Sequence, residues 1–212
     1  MTDTFRIRQA KLKELYVSPN GFTTTGQIPT AGAEVNRFVF AHDSEATTVQ
    51  NDPRFTRSFA TGAATHEVLL GLDARRYRLD EKQSFALGTP LEPVTPDYST
   101  PQPAVGAPYI DSVRVQEQIG IYAQDQIRFG DGWIATVNGR NDKVWSSSDN
   151  RIGANLDRED DAFSWRLALI RQVGDFTPYV TALTYFNPQT LDASTLTSEP
   201  ETGQQVEIGL KW

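Results

Sequence analysis

The chain has 212 residues, contains no cysteine and carries a formal net charge of −7 at pH 7. The lack of cysteine excludes disulfides and thiolate metal sites. The acidic balance argues against nucleic-acid binding, which needs a basic surface. Only 38% of the residues are hydrophobic, which is low for a soluble domain that must fill a core. The sequence shows no run of eighteen apolar residues that would predict a transmembrane helix.

Polar and apolar residues alternate along most of the chain, a pattern typical of β-strands rather than helices. Ile119, Ile121 and Ile127 share one side of a predicted strand, and a GDG turn at 130–132 leads into the next strand. These features predict a β-hairpin. The whole sequence is interpreted as eight strands, at 2–16, 36–60, 66–81, 113–129, 132–146, 159–173, 177–187 and 203–212.

Long and short connections are expected to alternate between these strands. The long ones are 17–35, 82–112, 147–158 and 188–202, and the short ones are 61–65, 130–131 and 174–176. In an up-and-down antiparallel sheet this alternation places every long loop at one edge and every tight turn at the other. Outer-membrane barrels have long external loops and short periplasmic turns. Greek-key sandwiches do not require long and short connections to alternate.

The segment 36–60 is longer than a membrane-crossing strand requires. About 10 tilted residues cross the apolar band of an outer-membrane barrel. We therefore expect the part of this segment around His42 to stand in water. Pro53 interrupts the segment, and because proline cannot donate a ladder hydrogen bond, we expect a bulge or a break there.

The apolar side of each strand is predicted to face lipid, and the polar side to line a lumen. Asp125 is an exception on the apolar side of its strand, which either a bulge or a position near the membrane interface would explain. The last strand divides cleanly, with one side carrying Val206, Ile208, Leu210 and Trp212 outward and the other carrying Gln205, Glu207 and Lys211 inward.

Aromatic residues near the tight turns and further along the strands are expected to form girdles at two membrane depths. Aromatic residues at the strand ends of a soluble core are the alternative interpretation. The residues concerned are Phe129, Trp133, Trp145, Trp165, Phe176, Tyr179 and Tyr185.

Two segments near the C-terminus carry a more specific pattern. TPYVTALTYFNPQT occupies 177–190 and EPETGQQVEIGLKW occupies 199–212. Together they resemble the "PYVSYSxSFxP" strand and the "PETGxQxExGxK" strand of TonB-dependent siderophore receptors. The matching residues are Pro178, Tyr179, Val180, Phe186, Pro188, Pro200, Glu201, Thr202, Gly203, Gln205, Glu207, Gly209 and Lys211. Stretches at 66–78, 119–142 and 160–170 are similar to preceding strands of the family.

This resemblance implies an all-β fold, an antiparallel up-and-down transmembrane β-barrel segment with about eight strands of a larger barrel. Receptors of the family have about 22 strands around a plugged lumen. No part of 1–212 matches their plug, their TonB-contacting box or a signal peptide. We therefore expect residues 1–212 to be a partial TonB-dependent receptor β-barrel domain. A closed eight-stranded barrel is the alternative.

The resemblance also implies ferric-siderophore uptake across the bacterial outer membrane, energised by TonB through the plug of the intact receptor. The expected partners are a ferric siderophore, TonB and outer-membrane lipid, with no nucleic acid. Iron is expected only as part of the substrate, with no cofactor, and the protein is not expected to be an enzyme. The alternative is a soluble β-sandwich, lectin-like or otherwise ligand-binding, with its apolar faces buried between two sheets.

No catalytic, cofactor-binding, metal-binding or siderophore-binding residue is assigned from the sequence. Receptors of this family bind siderophores through aromatic and basic side chains of their loops. Phe85, Tyr98, Tyr109 and Trp145 lie in or beside predicted long loops, where they would either contact a siderophore or pack the loops together. The lumenal arginines, such as Arg140 and Arg166, are expected to pair with carboxylates of the plug or the wall.

Motifs for metal binding and catalysis are weak. His42 and His66 are far apart and lack an HExxH partner. The glycines of GDG at 130–132 lack the lysine of a phosphate-binding loop and are interpreted as turn residues. A run of acidic residues is expected to lie in a solvated loop. Carboxylates are also calcium ligands, which is the alternative interpretation of this run. Its members are Asp157, Glu159, Asp160 and Asp161.

Overall fold

The computed structural model shows a single antiparallel sheet of eight strands, and it describes residues 1–22, 33–191 and 199–212. The strands are β1 (Thr2–Phe22), β2 (Val35–Thr61), β3 (Ala64–Leu91), β4 (Pro108–Phe129), β5 (Trp133–Asn150), β6 (Leu156–Arg171), β7 (Thr177–Asn187) and β8 (Glu201–Lys211). Each strand pairs with its neighbours in the sequence, so the predicted meander is confirmed. None of the described residues belongs to a helix that could cross a membrane.

The strands extend further toward the long connections than predicted. The sequence predicts a loop at 82–112, yet the ladder between β2 and β3 continues through Gly88 and Pro90 until Val35 lies opposite Leu91. The β3–β4 connection is therefore only 92–107. Hydrogen bonding to a neighbouring strand overrides the local turn preference of these residues.

Connection lengths follow the predicted alternation except at one place. Tight turns at 62–63, 130–132 and 172–176 lie at one edge of the sheet, and the connections at 23–34, 92–107 and 188–200 lie at the other. The predicted long loop at 147–158 is wrong, because β5 and β6 extend until only 151–155 separates them. Gly62 begins its two-residue turn with φ of 59°, the conformation that glycine supplies in hairpins.

The burial of the two faces is the reverse of that in a soluble protein, because the polar face is the more buried one and the apolar face is exposed. On β4 the polar side chains from Ser112 to Gln118 are buried, whereas Ile121 on the other side is 65% exposed. Buried hydrophobic side chains of the described residues are Ala33, Val39, Val144 and Leu191. No second layer of described residues covers the apolar face, so the soluble sandwich is wrong. We call the polar face inward and the apolar face outward.

The outward face carries an apolar band across all eight strands. It includes Phe5, Phe55, Leu70, Ile121, Val137, Leu167, Val180 and Ile208. Toward the long connections the band gives way to ion pairs between neighbouring strands, such as Arg76 Nη1 to Glu117 Oε1 at 2.9 Å and Lys143 Nζ to Glu159 Oε2 at 3.0 Å. Such a band between polar margins is the form expected of a surface in lipid.

The girdle prediction is correct for some of the aromatic residues and wrong for others. At the tight-turn end of the outward face, Phe129 stacks on Trp133 with centroids 6.4 Å apart, and the Arg171 guanidinium lies 5.1 Å from the Trp133 ring. Tyr179 and Tyr185 instead lie on the inward face, opposite Gly209 and Gly203. These glycines leave the space that the tyrosine rings occupy. The other outward aromatic residues of the prediction are Trp145 and Trp165.

Pro53 neither bulges nor breaks β2, so that prediction is wrong. Pro53 lies opposite Asp3 of β1, and the β2–β3 register is unchanged on its two sides, with Asn51 opposite Ala74 and Arg54 opposite Gly71. The missing proline N–H removes pairing locally without shifting the strands.

Asp125 lies on the outward face without a bulge, close to the tight-turn end of β4. Its Oδ2 atom is 2.7 Å from His66 Nδ1, and His66 Nε2 is 2.7 Å from the Thr61 hydroxyl. Phe59 stacks on the His66 ring with centroids 5.0 Å apart. Of the two explanations offered by the sequence, the interfacial position is the one that fits, because these polar partners accompany the carboxylate.

Cross-strand glycines are part of the packing of the inward face. Gly71 of β3 lies opposite Tyr122 of β4, and a Cβ atom added at Gly71 would overlap the Tyr122 ring. Tyr122 can thus cross β3, and its hydroxyl donates to Asp52 Oδ1 of β2 at 2.6 Å. The glycine makes possible a hydrogen bond between strands that are not neighbours.

Arg151 links the β5–β6 connection to two strands at the opposite end of the sheet. Its Nη1 and Nη2 atoms donate to the two carboxylate oxygens of Asp80 at 2.9 and 3.0 Å, and Nη1 also donates to Asp111 Oδ1 at 2.7 Å. The Arg151 guanidinium holds the pKa of Asp80 below its usual value. This corner therefore joins the β5–β6 connection to β3 and β4.

Gly71→Ala is expected to lower the free energy of unfolding by about 1–3 kcal/mol, because the added methyl group displaces the Tyr122 ring. The measurement is chemical denaturation in detergent or lipid. Gly139→Ala is the matched control, since its Cβ meets the Phe163 ring at an ordinary 3.4 Å. In a Tyr122→Ala background the loss should shrink, and an undiminished loss would contradict the explanation.

Arg151→Gln is expected to lower the free energy of unfolding by about 0.5 kcal/mol at pH 7, a small loss because Arg151 is 44% exposed and water screens the pair. The folded pKa of Asp80 lies below the unfolded one, so this stabilisation is present above about pH 3.9 and is lost as pH falls through the folded value. Denaturation curves for both proteins from pH 7 to pH 2 measure it. A difference that stays constant over this range would contradict the assignment to Asp80, and Arg128→Gln provides the control.

Candidate functional site

Five aromatic side chains gather on the inward face where β1–β4 approach the long connections. The strand register places Tyr16, Phe40 and Phe85 in one row. The ring centroids of Tyr16 lie 5.1 Å from those of Phe40 and 6.4 Å from those of Phe38, and Phe85 lies 5.6 Å from Tyr109. We call these five residues the mouth aromatic cluster.

The rings of the mouth aromatic cluster are partly exposed and do not belong to a hydrophobic core. Tyr16 is 42% exposed, Phe85 51% and Tyr109 45%. The Tyr109 hydroxyl donates to Gln83 Oε1 at 2.5 Å. Partial burial, with a smaller contribution from Tyr16, raises the pKa of Tyr109, which keeps its hydroxyl neutral. Exposed rings beside a few polar groups are suited to binding a ligand with apolar surface.

His42 lies directly beneath the cluster, between two carboxylates. Its Nδ1 atom is 3.6 Å from Glu14 Oε1 and its Nε2 atom is 2.9 Å from Glu81 Oε1. Glu81 also forms an ion pair with Arg114, and both of these side chains are nearly buried. His66 lies on the outward face, so the two histidines share no site.

Arg140 forms the centre of a second inward group, further from the long connections. Its Nε donates to Asp142 Oδ2 at 2.7 Å and its Nη2 donates to Asp73 Oδ2 at 3.1 Å. Gln118 Nε2 donates to Asp142 Oδ1 at 2.8 Å. Arg140 thus pairs with two carboxylates of the wall, as predicted. Arg166 faces inward without an ion-pair partner among residues 1–22, 33–191 and 199–212.

The β7–β8 connection starts by folding onto the inward face. The Gln189 carbonyl accepts hydrogen bonds from Gln116 Nε2 and Arg158 Nη2, each at 3.2 Å. Two residues later, Leu191 is 5% exposed. This segment therefore covers part of the inward surface of β4–β6.

The four loop aromatics singled out from the sequence lie in different surroundings. Phe85 and Tyr109 belong to the mouth aromatic cluster. Tyr98 is 76% exposed in the β3–β4 connection. Trp145 lies on the outward face with Lys143 Nζ 5.6 Å from its ring. Trp145 therefore lies at the polar margin of the outward face, away from the mouth aromatic cluster.

Sequence analysis missed Tyr16, Phe38 and Phe40 as candidate site residues. All three lie in strands that extend past their predicted ends or stand above the apolar band. The alternation of polar and apolar residues predicts the face of the sheet on which these residues lie, but it does not predict which residues of the adjacent strands lie beside them. A strand alignment that set Tyr16 opposite Phe40, and Phe40 opposite Phe85, could have found the cluster.

The acidic run at 157–161 lies in β6, and the prediction of a loop is wrong. Glu159 and Asp161 point outward, whereas Asp160 points inward and accepts a hydrogen bond from Arg158 Nε at 2.8 Å. Carboxylates on opposite faces of a strand cannot converge on one calcium ion. In the described part of the chain, no three histidine or acidic side chains are grouped to hold a metal.

Comparison with known proteins relates this geometry to a family. The family model described as TonB dependent receptor-like, beta-barrel matches residues 2–212. The ferrioxamine receptor of Yersinia enterocolitica is 29% identical over 188 residues, covering 83% of this chain and 26% of the relative. The ferrichrome outer membrane transporter/phage receptor of Escherichia coli K12 is 31% identical over 172 residues, covering 76% and 23%. The chain spans about a quarter of the length of these curated relatives.

Solved structures show the same fold. The closed form of the ferric-catecholate import receptor Fiu from E. coli K12 superposes with a TM-score of 0.83 at 16% identity, over 99% of this chain and 35% of Fiu. The unliganded ferric citrate transporter FecA gives a TM-score of 0.66 at 18% identity, over 98% and 29%. The half-barrel of eight strands, its outward apolar band and the match along nearly the whole chain agree: this chain belongs to the TonB-dependent receptor β-barrel family of the bacterial outer membrane.

Proposed function

We propose that the chain is part of the wall of an outer-membrane receptor that takes up a ferric siderophore, and that the mouth aromatic cluster contacts the siderophore. Two curated relatives are named as receptors or transporters for ferrioxamine and ferrichrome, and the cluster lies on the inward face beside the long connections. Exposed inward rings at this end are the observation that carries the proposal. They provide apolar contact for the organic shell of a chelate that enters from outside.

Iron enters in this proposal only as the centre of the chelate. The residues beneath the cluster, Glu14, His42, Glu81 and Arg114, already bind one another. They support the rings from below and leave the siderophore to hold the metal. The relatives are named as receptors and transporters, and we propose neither a cofactor nor catalysis in uptake.

We propose further that TonB supplies the energy for uptake through a plug inside the barrel. Arg166 supports this, because it faces inward and forms no ion pair with the described residues, Glu207 of the same inward pocket included. A plug carboxylate would neutralise it. Arg140, whose partners lie in the wall, needs no such contact.

We propose that residues 1–212 contribute wall strands to a larger barrel, and the edges of the sheet support this proposal. β1 and β8 each have a neighbour on one side only, and they do not pair with each other, which disfavours the closed eight-stranded alternative. Unpaired backbone groups in lipid cost several kcal/mol each. We propose that further strands pair with both edges, as in a barrel of about 22 strands.

The outward band is proposed to contact acyl chains. Its margins fit this orientation, since ion pairs such as Arg76–Glu117 lie toward the long connections and the Phe129–Trp133 stack lies at the tight turns. Aromatic and charged residues at the two margins match the two membrane interfaces. The long connections are then external and the tight turns periplasmic.

Phe85→Ala or Tyr16→Ala in the full-length receptor is expected to weaken siderophore binding about tenfold, because one exposed aromatic contact contributes about 1.4 kcal/mol. Binding of a panel of radiolabelled ferric siderophores to intact cells measures the effect. Phe163→Ala is the matched control, since this ring is 65% exposed on the outward face. Unchanged binding in both cluster variants, with normal receptor abundance, would contradict the proposed site.

Ile121→Arg is expected to destabilise the receptor in lipid vesicles by about 2–4 kcal/mol, because the guanidinium would enter hydrocarbon. The free energy of unfolding from vesicles is the measurement. Gln124→Arg, on the inward face of the same strand, should cost much less. If both variants lost the same small amount, the outward band would not be in contact with lipid.

A further inference from the structure

Three polar side chains on the outward face of β2–β4 are joined by two hydrogen bonds, and we call them the outward triad. His66 Nδ1 lies 2.7 Å from Asp125 Oδ2, and His66 Nε2 lies 2.7 Å from the Thr61 hydroxyl. An ionised carboxylate only accepts hydrogen bonds, so Nδ1 carries the proton when the ring is neutral. Nε2 then accepts from the Thr61 hydroxyl. A hydroxyl, an imidazole and a carboxylate in this order have the arrangement of a catalytic triad.

Exposure differs along the outward triad in the way that nucleophilic catalysis requires. Thr61 is exposed at the end of β2, whereas the side chains of His66 and Asp125 are 16% and 29% exposed. The Phe59 ring lies nearly parallel to the His66 ring, with an angle of 5° between them, and this contact restricts rotation of the imidazole. The hydroxyl is therefore accessible to a substrate while its base is held in place.

The turn that follows Thr61 provides two backbone donors. Gly62 and Ala63 form the two-residue turn between β2 and β3, and among the described residues their N–H groups donate no hydrogen bond. In a nucleophile elbow, the N–H of the residue after the nucleophile is part of the oxyanion hole. Gly62 has that position here, so its N–H is available to stabilise negative charge on a carbonyl oxygen.

Asp125 carries a buried oxygen atom that lacks a partner. Its Oδ1 atom forms no hydrogen bond with the described residues, and Asp125 lies between Val68 and Val137 of the adjacent strands. Burial of such an oxygen costs free energy. A role in catalysis is one of the reasons for which an unsatisfied buried group is retained, whereas a purely structural carboxylate would be expected to have both oxygens paired.

The position of the outward triad relative to the apolar band indicates the class of substrate. The triad lies at the tight-turn end of the band, where Phe55 and Leu70 lie opposite each other and are both half-exposed. The ester bonds of glycerophospholipids lie at the boundary between the hydrocarbon and the head groups. With the band in acyl chains, as proposed above, the ester of an adjacent lipid lies at the depth of Thr61.

We propose that the outward triad hydrolyses an acyl ester of a membrane glycerophospholipid. This activity goes beyond siderophore uptake, and it rests on the proposed contact between the outward band and acyl chains. Thr61 Oγ1 attacks the acyl carbonyl while His66 Nε2 takes the hydroxyl proton. The glycerol oxygen leaves with that proton, which yields a lysophospholipid and an acyl ester of Thr61. Asp125 positions the imidazole and does not contact the lipid.

Water completes the reaction. His66 Nε2 takes a proton from a water molecule as the water oxygen attacks the acyl ester of Thr61. The bond between the acyl carbon and Thr61 Oγ1 then breaks, and the proton passes from His66 to Oγ1. A fatty acid is released and the hydroxyl is restored, so one water molecule is consumed and no oxidant, reductant or metal takes part.

The test uses the purified full-length receptor in mixed micelles of detergent and phosphatidylethanolamine with a radiolabelled acyl chain. Release of labelled fatty acid is measured, and a fluorophosphonate, whose adduct mimics the tetrahedral intermediate, is located on the protein by mass spectrometry. We expect multiple turnovers and a fluorophosphonate adduct on Thr61. Thr61→Val and His66→Gln should each lower release at least about a hundredfold, because they remove the nucleophile or its base, and Thr61→Ser should retain release.

Matched variants separate catalysis from a structural role. Thr65→Val is the control, since Thr65 belongs to the same hairpin but lies on the inward face, and it should leave release unchanged. Asp125→Asn is expected to lower kcat and to leave KM unchanged, because it changes the position and the tautomer of His66 without removing a contact with the lipid. Asp125→Glu should restore part of the rate.

The outcomes separate this activity from siderophore uptake. Absence of both fatty-acid release and Thr61 labelling in a folded receptor that binds a ferric siderophore would overturn the hydrolysis and leave the proposed function standing. Release that persists in Thr61→Val, or that falls equally in Thr65→Val, would also overturn it. Thr61→Val should bind the ferric siderophore as the unaltered receptor does, and failure of the unaltered receptor to bind would contradict the proposed function alone.

Discussion

The structure depends on one constraint, namely that a single sheet, one strand thick, must separate two different media. Side chains of a strand alternate between its faces, so each strand carries apolar groups outward and polar groups inward. The sheet has almost no hydrophobic interior, and Val144 is the one large side chain that is fully buried among the described residues. The sheet is therefore stabilised by hydrogen bonds between its strands and by contacts among the polar side chains of the inward face.

Those inward contacts also hold the candidate site in place. Tyr122 reaches across Gly71 to Asp52, which ties β2 to β4, and the group around Arg140 ties β3 to β5. Of these strands, β2, β3 and β4 also carry members of the mouth aromatic cluster, nearer the long connections. Beneath the rings, Glu81 pairs with Arg114 and with His42, and Tyr16, Phe85 and Tyr109 remain exposed to a ligand.

Family membership and site geometry account for different parts of the functional conclusion. The family match establishes the barrel and its outer-membrane location. The geometry shows where exposed rings gather on the inward face of this wall, and this is where we propose that a ligand makes contact. Solved relatives below 25% identity share the backbone fold, and in this chain the strand register places Tyr16, Phe40 and Phe85 in one row.

The sequence by itself determined the number, order and facing of the strands, because a period of two and turn glycines such as Gly62 act locally. It could not determine where strands end, since β3 continues through Gly88 by pairing with β2. Nor could it bring Tyr16, Phe40 and Phe85 together. Their meeting depends on the register between the consecutive strands β1, β2 and β3, which only the assembled ladder decides.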